Sequence, residues 1–204
     1  MEKSKVYFTK DISASSLIKM FDVLGKKLNG KVGVKISTGE KGNNNYLNPK
    51  LIKDLVSYVS GTIVECNTAY AGNRNTTALH LETIKEHGFL DIADVDIMDS
   101  DGDMNIPVNN GFHLKYNYVG SHLKNYDSIL MLSHFKGHPM GGFGGALKNM
   151  SIGVASSAGK AYIHTAGKTN EVEELWSNIA EQDDFLESMA DADKSVVDYM
   201  NGNI

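Results

Sequence analysis

Short apolar runs rich in β-branched residues alternate with amphipathic segments of helical periodicity through the first half of this chain. Residues 31–36 and 62–66 are typical of buried strands, and helices are expected after them, beginning at Asn48-Pro49 and near Thr77. Strands separated by helices of about 10–15 residues favour right-handed βα units. The sequence therefore predicts an α/β fold, a mostly parallel sheet with helices on both faces, built from βα units.

The remaining elements are predicted from periodicity and from capping residues. A helix is expected from Ser13 to Gly30, and a last helix is expected from a cap at Asp183 or Asp184. Further strands are predicted over residues 6–8, 92–98, 104–108 and 128–133. Residues 109–126 follow no pattern that predicts an element.

The length of 204 residues indicates one domain. The last helix reaches Gly202, and the sequence stops two residues later, where an α/β alternation calls for another strand. We therefore expect residues 1–204 to be the N-terminal portion of a longer α/β domain, truncated at its C-terminus. A missing strand would leave an open edge that favours self-association, or an incomplete core. The core residues concerned are Ile129, Met131, Val196 and Met200.

Charge and cysteine content exclude several classes of protein. The net charge of -5 indicates no general basic surface, so neither a nucleic acid nor a membrane is an expected partner. The single cysteine, Cys66, excludes a disulfide framework and a self-contained four-cysteine iron–sulfur cluster. The N-terminus has no apolar core of a signal peptide, and no apolar run approaches the roughly 18 residues that span a bilayer. A cytoplasmic location is expected.

Three polar loops, residues 37–45, 67–74 and 134–145, each follow an apolar strand directly. The carboxyl ends of parallel strands meet at one edge of a sheet, where ligands usually bind. We therefore expect the loops to surround one cleft. Its ligand would be oriented by polar side chains of the three loops, namely Glu40, Asn67, Arg74 and Lys136.

The third loop contains five glycines and leads into a predicted helix at Ala146. Glycines such as Gly144 and Gly145 let backbone N–H groups approach a ligand, and a helix N-terminus favours an anion. Lys148 and Asn149 would lie in the first turn of that helix. The loop is not a Walker A motif, because its lysine follows Ala-Leu and lacks the adjoining glycine. It predicts a site for a small phosphate or carboxylate ligand.

His134 and His138 are candidates for proton transfer or for binding a divalent metal, with His164 as a third partner. Hydrogen-bonded loop histidines that only hold the loop's shape are an equally good interpretation. Cys66 could be a thiolate nucleophile activated by Arg74 or a histidine, but a buried free cysteine is the commoner case.

The third loop also resembles a known family. The strings LSHFKGH and GFGGALKN, at residues 132–138 and 142–149, are similar to the signature of the domain-of-unknown-function family 362. The resemblance extends to VKISTGEKGNNNYLNPKLIKDLV, ECNTAYAGNRNTTALHLETIKEHGF and SIGVASSAGKAYIH. The resemblance implies a relation to proteins that are often described as iron–sulfur proteins. It also makes a redox partner possible for this chain. However, this sequence has no cysteine after His164, so cluster binding does not carry over to it.

Two classes of function follow from these observations. The first is a small-molecule enzyme that binds an anion or carboxylate, with His134, His138 and Lys148 as catalytic residues. The second is a non-catalytic protein that binds a metal or cofactor, or an iron–sulfur redox accessory. The sequence does not name the substrate, the metal or the reaction.

Overall fold

A computed structural model describes residues 3–204 of the chain. The α-helices are α1 (Ala14–Leu24), α2 (Pro49–Tyr58), α3 (Thr77–Glu86), α4 (Ala146–Val154), α5 (Ser157–His164) and α6 (Gln182–Tyr199). The strands are β1 (Val32–Lys35), β2 (Thr62–Glu65), β3 (Val95–Ile97), β4 (Asp103–Pro107), β5 (Tyr116–Gly120), β6 (Ser128–Met131), β7 (Lys136–His138) and β8 (Gly142–Gly144). No helix within residues 3–204 is long and apolar enough to cross a membrane.

The central sheet has four parallel strands in the order β3-β2-β1-β6. Two antiparallel hairpins, β4–β5 and β7–β8, lie outside it. The prediction of an α/β fold with a mostly parallel sheet is confirmed.

Side chains that alternate along the strands fill two separate cores. On one face, Val34 and Ile63 pack with Ile52 of α2 and Ile84 of α3. On the other face, Val64 and Ile129 pack with Val154 of α4 and Val196 of α6. Helices cover both faces of the sheet, as a parallel sheet requires.

Two predictions for the N-terminal region are wrong. Residues 6–8 form no strand, and Val6 and Phe8 are 88% and 83% exposed, because neither edge of the sheet pairs with them. Helix α1 begins after its predicted cap, Ser13, but it ends at Gly25 and not at Gly30. Gly25 adopts a left-handed conformation with φ of 64°, and its N–H bonds to the carbonyl of Asp22, which closes the helix.

The middle and C-terminal regions hold elements that periodicity did not predict. Strand β5 occupies part of residues 109–126, and the small residues after α4 form helix α5, capped by Ser156. A Cβ on Gly159 of α5 would lie 2.0 Å from the carbonyl oxygen of Tyr118, so only glycine permits this close packing on β5. Helix α6 begins at Gln182, before the predicted caps Asp183 and Asp184, which lie in its first turn instead.

The C-terminal residues contact the edge strand β6. The backbone N–H of Ile129 donates to the carbonyl of Asn203 at 3.0 Å. Ile129, Val196 and Met200 are buried, and Met131 packs against them partly buried. The core at this end of the sheet is therefore filled in the described chain.

Candidate functional site

The three polar loops meet at one cavity of about 590 Å³. Glu40, Arg74 and His138 each line it, one from each loop. Helices α4 and α5 contribute Lys148 and Lys160. The strand order brings the ends of β1, β2 and β6 together, which explains why loops so distant in sequence share this cavity.

Arg74, the only arginine of the sequence, joins two carboxylates in the cavity wall. Its Nη1 donates to Glu65 Oε1 at 3.1 Å, and its Nε donates to Glu40 Oε1 at 3.1 Å, with Nη2 bonded to the same oxygen of Glu40. The hydroxyl of Tyr70 donates to Glu40 Oε1 as well, at 2.7 Å. Arg74 and Glu40, both predicted to orient the ligand, thus bind each other, and a ligand must compete with these bonds.

Glu65 is buried and ionised. Burial alone would raise the pKa of its carboxyl, but the charges of Lys35 and Arg74 hold this pKa well below its usual range. Its Oε2 accepts bonds from the N–H and the hydroxyl of Thr38, at 2.8 and 2.6 Å. Glu65 therefore ties the end of β2 to the first loop, a role that the sequence did not indicate.

Asn67 is not placed in the cavity. Its Oδ1 lies 3.2 Å from Nδ1 of the buried His80, and its Nδ2 donates to Thr77 Oγ1 at 3.1 Å. The side chain thus holds His80 beside Glu65, outside the set of residues that line the cavity. Ligand binding by Asn67 stays a prediction, and a ligand would have to displace these bonds to reach its side chain.

Lys35, at the end of β1, is a cavity residue that sequence analysis missed. Its Nζ donates to Asn149 Oδ1 at 2.8 Å and to the carbonyl of Ile36 at 2.7 Å. Burial lowers the pKa of its ammonium to about 8, against the opposing attraction of Glu65. Asn149 Nδ2 also donates to the carbonyl of Lys35 and to Ser133 Oγ. Asn149, which was predicted to bind the ligand, therefore positions Lys35 and connects α4 to β1.

Three further lysines line the cavity: Lys136, Lys148 and Lys160. Burial, with repulsion from Lys136 and Lys160, lowers the pKa of Lys148 to about 8. The ion pairs that lysine and arginine form within residues 3–204 are Lys41–Glu86, Lys194–Asp198, Arg74–Glu40 and Arg74–Glu65. Within residues 3–204, the four cavity lysines thus have no carboxylate partner at ion-pair distance, whereas both cavity carboxylates are bound to Arg74.

The glycine-rich third loop is a β-hairpin and not an irregular loop. Strands β7 and β8 pair through Gly137 and Phe143, and Gly142 takes the left-handed turn conformation at φ of 71°. The hairpin leads through Gly145 directly into α4, as predicted, which places Lys148 in the first turn. Gly144 and Gly145 line the cavity, and a Cβ on Gly144 would lie 3.3 Å from Lys148 Cδ.

Two cavity histidines have opposite tautomers. The N–H of Gly141 donates to His138 Nδ1 at 2.9 Å, so the neutral ring carries its proton on Nε2. His164 Nδ1 lies 2.6 Å from the carbonyl of Lys160 and must donate to it, which leaves Nε2 as a proton acceptor. Burial lowers the pKa of both rings, that of His138 to about 4, with Lys148 adding to the effect. Both rings are therefore neutral near pH 7.

His134 lines the same cavity, and its buried Nδ1 has no hydrogen-bond partner within residues 3–204. The structure does not gather His134, His138 and His164 into a set of three metal ligands. In the described chain, the one group of three such side chains within 4.8 Å is His113, Asp184 and Glu187, and it lies outside the cavity.

Cys66 directly follows β2, and its Sγ lies 3.3 Å from the carbonyl of Val154. Burial raises the pKa of the thiol to about 12, with the charge of Asp99 adding to the rise. A thiol with this pKa stays protonated near neutral pH, so Cys66 matches the buried free cysteine and not the thiolate nucleophile.

The fold and these side chains define a parallel α/β protein with a lysine-lined cavity at the carboxyl edge of its sheet. The chain belongs to the family described as Domain of unknown function (DUF362), whose model matches residues 32–202. All three cavity loops lie within the matched region. Comparisons with the curated proteins and with the solved structures gave no match.

Proposed function

We propose that this protein binds a small organic anion in the cavity and acts on it as an enzyme. The observation that carries the proposal is a set of four lysines, none of which has a carboxylate at ion-pair distance in the described part of the chain: Lys35, Lys136, Lys148 and Lys160. Ammonium groups that are crowded together repel one another, and an anion bound among them would offset this repulsion. Because the whole chain has a net charge of -5, the positive charge is concentrated in the cavity, which supports a role of these lysines in binding an anion.

The anion would lie near the first turn of α4. There the ammonium of Lys148, the amides after Gly144 and the positive end of the nine-residue helix are close together. A phosphate or a carboxylate meets this arrangement equally well, because both accept several N–H bonds at once.

Proton transfer is the chemistry that the neighbouring groups support. His164 Nε2 is a proton acceptor, and His138 offers an Nε2–H that can polarise a carbonyl or hydroxyl oxygen. Lys148, with a pKa of about 8, can give or take a proton near neutral pH. We assign His164 and Lys148 to proton transfer, and His138 to hydrogen-bonding the substrate.

Replacing Lys148 with methionine tests the anion site. In the parent protein, about 20 mM inorganic phosphate or citrate should raise the melting temperature by about 3 °C relative to sodium chloride of equal ionic strength. Lys148→Met should remove most of this response. It should also raise the melting temperature without ligand, because it relieves repulsion among the lysines.

The matched control is Lys85→Met, which removes an exposed lysine from the surface of α3. This variant should keep the full response to phosphate and citrate. An equal response in all three proteins would indicate nonspecific salt stabilisation and would contradict the proposal.

The affinity for the anion should also fall at alkaline pH. Lys35 and Lys148 each have a pKa of about 8, so in the free protein both lose their charge above this value. A bound anion raises both pKa values, so the affinity should decline as the pH passes from 8 toward 10. Calorimetric titration with citrate, which stays fully ionised over that range, measures the decline. A constant affinity would show that these lysines do not hold the anion.

A further inference from the structure

Apolar side chains line part of the cavity, in addition to its lysines. This apolar wall is formed by side chains from α4, the β7–β8 hairpin and the segment between α5 and α6, namely Ile152, Met140, Leu175, Trp176 and Ile179. Trp176, the only tryptophan of the sequence, is 68% exposed there. An aromatic side chain at the wall of a cavity offers a flat surface on which a ligand ring can stack.

The backbone holds Trp176 at this wall from both sides. The neighbouring Leu175 is buried against Ala69 and Ala161, and the N–H of Ala180 donates to the carbonyl of His164 at 2.9 Å. The segment is thus anchored before and after its exposed apolar side chains. Trp176 lies in the short 3-10 helix Val172–Ser177, so its backbone is already ordered before a ligand binds.

The cavity is also too large for a simple inorganic anion. Its volume of about 590 Å³ lies in the range of sites that bind drug-sized molecules, roughly 300–1,000 Å³. A phosphate or a small carboxylate held by Lys148 would leave the apolar wall without a partner.

We infer that the ligand is an organic anion with an aromatic or similarly flat apolar ring, whose acidic group lies among the lysines and whose ring packs on Trp176. This inference rests on the anion binding proposed above and adds the chemical class of the ligand.

Pairs of anions that differ only by a ring test this class. Methylphosphonate and phenylphosphonate form one pair, and acetate and benzoate form the other. Their affinities are measured by calorimetry, together with the fluorescence of Trp176. In the pair whose acidic group the site accepts, the aryl anion should bind at least about tenfold more tightly than its methyl partner and change the tryptophan emission. Phenol, which has the ring without the anionic group, should bind weakly.

Two variants locate the ring. Trp176→Ala, a change at an exposed position, should reduce the advantage of the aryl anion to less than about threefold and leave the affinity for the methyl anion unchanged. Phe143→Ala, which removes an exposed aromatic ring outside the cavity lining, should leave the advantage intact. Lys148→Met should weaken both members of the pair.

The outcomes separate the two proposals. If the methyl and aryl anions bind equally well, or if the aryl advantage survives Trp176→Ala, the inference is overturned while anion binding stands. If no anion binds in the parent protein, the proposed function itself fails.

Discussion

Replacing Arg74 with methionine is expected to lower the free energy of unfolding by about 3–5 kcal/mol. The variant removes the guanidinium that pairs with Glu65, a carboxylate whose side chain is only 6% exposed. It also removes the bonds that Arg74 donates to Glu40 in the first loop. Urea unfolding monitored by circular dichroism measures the loss.

Two comparisons show whether the buried pair causes this loss. Glu40→Gln removes the more exposed partner of Arg74, at 38% side-chain exposure, and should cost less than about 1 kcal/mol. The double variant Arg74→Met/Glu65→Gln no longer buries an unpaired charge, so it should be more stable than Arg74→Met alone. If Arg74→Met costs no more than Glu40→Gln, Arg74 does not hold the carboxylates together as described.

The fold could be predicted from sequence wherever local signals and burial agree. Asn48-Pro49 begins α2 as expected, because an amide cap and an N-terminal proline act within one turn. Strand β5 was missed because the buried Asn117 interrupts its apolar pattern. The partner of Asn117 Nδ2, Ser195 Oγ at 3.0 Å, lies on α6 and is far away in sequence. Helix α5 was missed because it packs closely on β5 and therefore needs small residues such as Gly159. These residues form no apolar stripe that periodicity could detect.

For the candidate site, the position of the residues was predictable from sequence, but their contacts were not. Loop position at strand ends was enough to bring Glu40, Arg74, His138 and Lys148 to one cavity. The orientation of individual side chains was not predictable, because contacts with residues far away in sequence determine it. His80 turns Asn67 away from the cavity, and Asn149, from the third loop's helix, bonds to Lys35 of the first strand. A lysine within the apolar run of β1 gives no signal of its own that it is buried beside a ligand site.

The second large effect is expected on α6, away from the cavity, at Asp193. The residue is 8% exposed, and its Oδ1 has no hydrogen-bond partner within residues 3–204. Burial raises its pKa from 3.8 to about 8. Between these two pH values the folded chain keeps a proton that the unfolded chain releases, so the stability contributed by this group falls as the pH rises through that window.

Asp193→Asn removes the charge and keeps the shape of the side chain, so it should be more stable than the parent protein, by an amount that grows with pH. Each pH unit inside the window adds at most about 1.4 kcal/mol, so the advantage should be about 3 kcal/mol larger at pH 8 than at pH 5. Urea unfolding of both proteins at several pH values measures this difference. Asp183→Asn, at an exposed position in the first turn of the same helix, is the control and should show no such growth. An advantage of Asp193→Asn that stays constant with pH would mean that Asp193 is ionised in the folded protein, with water or a neighbouring group stabilising its charge.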